Sequence, residues 1–178
     1  MDIEQKELPF ADGAFDLVHS SGVLHHMAKP EAALREFRRI LKPGGRAQIM
    51  VYNRDSIWFH LYVPFVLQIE QGQFAGLSPE EAFQRSTDGL DCPISRAYSR
   101  KSFQSLVESF GFKLLRYGSA VAAWEMMHLP KMHAAVFDQR LPRESREFLT
   151  GLRFDEFALP LSDGQRAGVD GCYLFEAV

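Results

Sequence analysis

Residues 8–53, LPFADGAFDLVHSSGVLHHMAKPEAALREFRRILKPGGRAQIMVYN, constrain the fold more than the rest of the chain does. They read as a turn, a strand, a polar loop, an amphipathic helix, a glycine stop and a second strand. Phe10-Ala11-Asp12-Gly13 is a turn signal. Phe15 to Ser20 reads as a short strand with Phe15, Leu17 and Val18 as its apolar content. Ala33, Leu34, Phe37, Ile40 and Leu41 recur at helical spacing and make one apolar face. Pro30 suits a first helical turn, where its missing N–H costs nothing. Pro43-Gly44-Gly45 stops the helix. Ala47 to Tyr52 is nearly continuous in apolar residues, which predicts a strand buried on both faces. Strand, helix, strand is one unit of a parallel α/β sheet. Ligands of such sheets bind beyond the carboxyl ends of the strands, and Ser20 to His26 falls at such an end.

A chain of 178 residues fits one domain. The formal net charge of −3 and scattered Lys and Arg give no footprint for a nucleic acid. Cys92 and Cys172 are far apart, with no CxxC and no Cys/His ligand spacing, so a reducing cytoplasm is the expected setting. The acidic, polar N-terminus has no signal-peptide pattern. Ile57 to Ile69 is the most apolar stretch, but it is too short to span a bilayer. It reads as a buried or lid helix, kinked at Pro64. No membrane partner is expected.

Beyond Asn53 the regular alternation stops. Pro79 to Arg85 reads as a helix opened by a capping box, Ser78 with Glu81. Thr87 to Arg96 is a loop. Ser99 caps a helix carrying Phe103, Leu106, Val107 and Phe110 on one face, stopped at Gly111. Phe112 to Tyr117 and Cys172 to Val178 read as strands. Ala120 to Asp138 is ambiguous with a helical lean, and Ser145 to Leu152 reads as a short helix.

Three motifs occur in order: LPF-x-D-x-x-FD-x-V from Leu8, then VLHH from Val23, then L-x-E-x-x-R-x-L-K-P-G-G from Leu34. In these the chain resembles the class I S-adenosylmethionine-dependent methyltransferases. The strong likeness covers about a quarter of the chain. The resemblance implies an α/β fold: strands four to seven of the family's partial Rossmann-like sheet, with helices on both faces and a helical insertion. It implies one methyltransferase-like domain over 1–178, N-terminally truncated, with 54–98 as a lid or substrate insertion. The family's glycine-rich loop, E/D-x-G-x-G-x-G, and its ribose-binding acidic residue are absent from this sequence. Gly118, Gly151, Gly164, Gly168 and Gly171 make no G-x-G. Glycines there let the backbone approach the ligand and free its amides to donate.

The resemblance implies S-adenosylmethionine as cofactor and a small-molecule acceptor. The chain is expected to work as part of a longer protein and to be weak or inactive alone. The alternative is a non-catalytic binding module or half of a split enzyme. Asp2 or Glu4 is implied as the acceptor from the adenine amino group. Ser20, Ser21, Gly22, Val23 and His26 are implied as cofactor contacts. Tyr52, Asn53 and Tyr98 are candidate substrate contacts, and the aromatic run Trp58, Phe59, Tyr62, Phe65 is a pocket lining or, more commonly, core. His25 is the candidate catalytic base. His25 and His26 also read as a metal pair, but no third ligand has matching spacing, so no metal is expected; a packing role is the third reading. Methyl transfer is a displacement at a sulfonium carbon and needs alignment more than a base. Strand 15–20 is expected to be an open edge, inviting a dimer or a missing N-terminal half.

Overall fold

The computed structural model describes residues 7–178; Asp2 and Glu4 lie outside the described residues. Strands β1 (Phe15–Ser21), β2 (Leu41–Tyr52), β3 (Phe112–Ala120) and β7 (Asp170–Ala177) form one sheet in the order β1-β2-β7-β3. β1 and β2 are parallel. β7 lies antiparallel between β2 and β3. A smaller antiparallel sheet joins β4 (Arg153–Phe154), β5 (Pro160–Ser162) and β6 (Gln165–Arg166).

Helix α1 (Pro30–Ile40) forms where its apolar spacing places it, with Pro30 in the first turn and Ala33, Leu34, Phe37 and Ile40 buried. It ends at Ile40, before the Pro-Gly-Gly stop, because Leu41 already pairs with Phe15 in β2. Lys42 to Gly45 then bulge out of register, since the next pair is Leu17 with Arg46. Gly45 is needed there: a Cβ would sit 2.9 Å from Lys42 O and 3.1 Å from Leu41 Cδ2.

β2 is not buried on both faces. Ala47, Ile49 and Val51 are buried, while Arg46 and Gln48 are exposed and Met50 is half-buried. Their register partners Phe175 and Tyr173 complete the buried face. Helices α1 and α3 (Arg100–Glu108) both pack there, through Leu34, Phe37, Phe103 and Val107. Helices on both faces were the expectation. Among the described residues the other face is uncovered, with Leu17 52% exposed at its edge.

The remaining elements build a helical cap at the carboxyl ends of β1 and β2. Trp58–Glu70 is a π-helix, closed by a hydrogen bond from Gln71 N–H to Val66 O. The i→i+5 pattern accommodates Pro64 without a break. Segment 54–98 does not stand alone. Its Ile57, Leu61, Phe65 and Val66 share a core with Ala135, Leu141, Leu149, Leu152 and Ala167. All but Ala167, which follows β6, belong to the stretch carrying α4 (Ala123–Met126), α5 (Met132–Phe137) and α6 (Arg143–Gly151) or directly follow it. Arg54 joins the parts, pairing with Glu80 at 2.5 Å on α2 (Pro79–Thr87) and with Glu144 at 2.8 Å on α6. Buried His60 pairs with Ser145 at 3.1 Å and stacks on Phe148. Burial, then the Arg54 charge, push its imidazole down to about 3, so it is a neutral core group. No described helix is long and apolar enough to cross a membrane.

Candidate active site

Ser20 and Ser21 end β1 at the carboxyl side of the sheet, and Gly22 and Val23 turn the chain into a 3₁₀ turn Leu24–His26. Gly22 takes φ +71° and donates to Met50 O at 3.3 Å, tying the turn to β2. Ser20 is 6% exposed and its Oγ has no hydrogen-bond partner. His25 is fully buried, and its Nε2 is likewise unpartnered. Its Nδ1 accepts from Tyr52 N–H at 3.3 Å, which fixes the proton on Nε2. The ring stacks on Tyr52 at 3.9 Å between centroids. Burial first, then neighbouring His26, push the His25 imidazole down to about 4, so it is neutral near pH 7.

His26 is the accessible imidazole. Its Nδ1 lies 2.7 Å from Ile94 O. A carbonyl oxygen only accepts, so Nδ1 carries the proton and Nε2 is the free lone pair. Nε2 faces Asp88 Oδ1 at 3.8 Å. Asp88 also accepts from Tyr52 OH at 2.8 Å and from Ser95 OH at 2.7 Å. Cys92 Sγ lies 3.7 Å from His26 Nδ1. Burial, then the Asp88 carboxylate, hold the Tyr52 phenol well above its usual range.

The other predicted residues part company here. Asn53 is buried and fully engaged, donating to Asp55 O and Gly168 O at 2.9 Å each and accepting from Asp55 N–H at 3.0 Å. It locks the end of β2. Tyr98 bonds Tyr52 and Arg54 through its backbone and packs its ring on Phe103 in the main core. Phe59 and Phe65 are core. Tyr52 and Trp58 do line a cleft of about 310 Å³, together with Thr87, Trp124, Val169 and Asp170. Trp58 stacks near Tyr62 at 3.9 Å and meets Trp124 edge-on at 4.0 Å. Trp124, Asp88 and Ser95 carry no site expectation from the sequence, and Cys92 was expected to have no ligand partners. Only the fold brings the 88–96 loop onto the turn after β1.

For S-adenosylmethionine the residues present make a partial fit. Ser20 Oγ and His25 Nε2 are two of the three buried, unpartnered side-chain polar atoms among the described residues. Such groups are rare and mark places where a ligand or water is accommodated. Ser20 is one of the residues expected to contact the cofactor, and His25 is the expected base; both lie at the carboxyl end of β1. The family's glycine-rich motif, E/D-x-G-x-G-x-G, does not occur in the sequence.

Residues 1–49 match the family described as Methyltransferase domain. A ubiquinone/menaquinone biosynthesis C-methyltransferase of Cupriavidus metallidurans is 36% identical over 136 residues, 73% of this chain and 53% of that protein. An uncharacterised protein of Escherichia coli is 58% identical over 45 residues, 25% of this chain and 22% of that protein. The chain spans about half or less of the length of the curated relatives it matches. In three dimensions it is similar to an S-adenosylmethionine-dependent methyltransferase of Mesorhizobium loti, with a TM-score of 0.53 over 99% of this chain and 67% of that one. At 13% identity that likeness is one of fold.

Proposed function

We propose, from the chain's membership of the class I S-adenosylmethionine-dependent methyltransferase family, that these residues form one wall of a cofactor site and the acceptor side of a methyl-transfer centre. The observation that carries this reading is the pair of buried, unpartnered groups, Ser20 Oγ and His25 Nε2, at the carboxyl end of β1. When bound, S-adenosylmethionine supplies a methyl carbon on a positively charged sulfur. This chain's residues do the positioning. Ser20 to Val23 present a small-residue wall, and Gly22 keeps its backbone close to β2. His25 supports the Tyr52 ring from below, and Asp88 fixes its hydroxyl. Tyr52, Trp58 and Trp124 then give an aromatic cleft suited to a small, flat, largely apolar acceptor. Displacement at carbon runs on such alignment, and no obligatory base is required.

We further infer that this chain alone binds the cofactor weakly and acts within a longer protein. Two missing carboxylate–hydroxyl hydrogen bonds to ribose, at about 1.5–3 kcal/mol each, remove orders of magnitude in affinity. Calorimetric titration with S-adenosylhomocysteine is expected to give no micromolar binding. At millimolar ligand, amide shifts in ¹⁵N spectra should centre on Ser20 to His26. Shifts centred elsewhere, or none at all, overturn the reading. Micromolar affinity removes the weak-binding part and leaves the site assignment standing.

A second reading, a non-catalytic module or half of a split enzyme, has its own support in the outer edge of β1 and the sheet face that are open among the described residues. Both readings share the wall at Ser20 to Val23, and they differ in whether turnover appears once the rest of the sheet is supplied.

A further inference from the structure

We propose that His26, Asp88 and Cys92 form a binding site for one divalent transition-metal ion of the zinc class, with a coordination position left for water or an acceptor oxygen. One donor atom from each residue lies within 4.8 Å of the others, the one such grouping among the described residues. The 3.8 Å between His26 Nε2 and Asp88 Oδ1 suits an ion held between two ligands at about 2.0–2.2 Å each.

His26 and Asp88 are oriented before any ion arrives, whereas Cys92 Sγ rests 3.7 Å from His26 Nδ1 and turns toward the Nε2 side to bind. The His26 Nδ1–H donates to Ile94 O, which turns the Nε2 lone pair outward, as outer hydrogen bonds do for metal-binding imidazoles. Asp88 is braced at one oxygen by Tyr52 OH and at the other by Ser95 OH. Gln84 holds the loop that carries Cys92, donating to Cys92 O at 3.1 Å and to Pro93 O at 2.9 Å. Arg96 stitches that loop to the His26 turn, its side chain donating to Met27 O at 2.9 Å and its backbone to His25 O at 3.1 Å. The Cys92 thiol now donates to Ile94 O at 3.2 Å. On binding it forms a sulfur–metal bond and releases its proton to solvent.

The donor set selects the ion. One thiolate, one imidazole and one carboxylate suit zinc and its neighbours, whereas magnesium and calcium take oxygen ligands. Three protein ligands with an open fourth place is the pattern of a catalytic rather than a closed structural site. The site uses residues in hand and does not rest on cofactor binding.

The test uses the reduced chain. Competition against a chromophoric chelator should give one zinc per chain, undisturbed by magnesium. Cobalt(II) should give a sulfur-to-cobalt charge-transfer band. His26→Gln and Cys92→Ser should each weaken zinc binding by about 100-fold or more, since losing an outer hydrogen bond alone costs 10–100-fold. Cys92→Ser should also abolish the cobalt band. Cys172→Ser and His133→Gln, outside the cluster, should leave both readouts unchanged, and melting curves check that each variant folds. Absence of stoichiometric zinc, or binding indifferent to both ligand variants, overturns the proposal. So does a cobalt spectrum without the thiolate band.

Discussion

Glu125 is a carboxyl group in a place that disfavours its charge. It is 1% exposed, and its two oxygens accept from Ala122 N–H at 2.9 Å and Val169 N–H at 3.0 Å. Burial outweighs these bonds and pushes its pKa up to about 7. Between an ordinary carboxylate value and pH 7 the folded chain therefore holds a proton that the unfolded chain has lost. Stability then falls as pH rises through that window, and is level above it. The fall is at most on the order of 3 kcal/mol, from 1.36 kcal/mol per unit of pKa difference. Denaturant unfolding at a series of pH values from 4.5 to 8 should show this decline. Glu125→Gln should flatten it, at a lower baseline because an amide offers one acceptor to two donors. A wild-type curve flat across the window would contradict the assignment. The same attention to partners separates His25 from His26. The two are neighbours in sequence, yet one is buried against the Tyr52 ring and the other faces Asp88.

Helix α2 gives the simplest measurement at the scale of an element. Ser78 Oγ accepts from Glu81 N–H at 3.2 Å, and Glu81 returns the bond to Ser78 N–H at 2.9 Å. Ser78→Ala should cost about 1 kcal/mol and lower Tm by about 2–4 °C in a chain of this size. An unchanged Tm would mean that α2 forms outside the rate- and stability-limiting unit. This capping box was legible in the sequence, as were β1, α1, β2 and the helix after Ser99. Each of those carries a local signal: a turn dipeptide, a period, a cap or a stop. Two things were not legible. The exposed alternation of β2 was hidden because the half-buried Met50 and Tyr52 keep the run apolar where the outer face gives way to α2, whose Phe83 meets Tyr52. The stretch from Ala123 to Phe154 breaks into pieces of two to nine residues, too short to show a period, and its order comes from packing against the π-helix. The site followed the same division. The turn after β1 was readable from its motif. The meeting of Asp88, Ser95 and Cys92 with His26 was not, because hydrogen bonds from Gln84 and Arg96 place their loop, and no spacing in the chain records that.

The whole molecule is a sheet finished on one side. α1 and α3 cover one face, while the outer edge of β1 and the opposite face stand open among the described residues. That edge carries Leu17, His19 and Ser21, all exposed, and ends in a free row of backbone donors and acceptors. Protection is slight. Lys42 pairs with Asp16 at 2.8 Å at the start of the strand, and neither a proline nor a lysine interrupts it. Unpaired edges with little charge beyond their first residues template pairing with another strand. The face beside it mixes Leu17 and half-buried Leu174 with Arg46, Gln48 and Glu176, so it tolerates water better than the edge does. Association should therefore run through β1 rather than through the face. Sedimentation velocity over a concentration series should show a reversible shift to dimers or larger species. Leu17→Lys places a charge on the edge strand without removing a buried side chain, and should move the chain toward monomer at unchanged stability. Arg46→Glu, on the face, should leave the distribution as it was. A wild-type chain that stays monomeric at high concentration and melts cooperatively would show that β1 needs no partner, and would remove the support that the open edge lends to a split or docked arrangement.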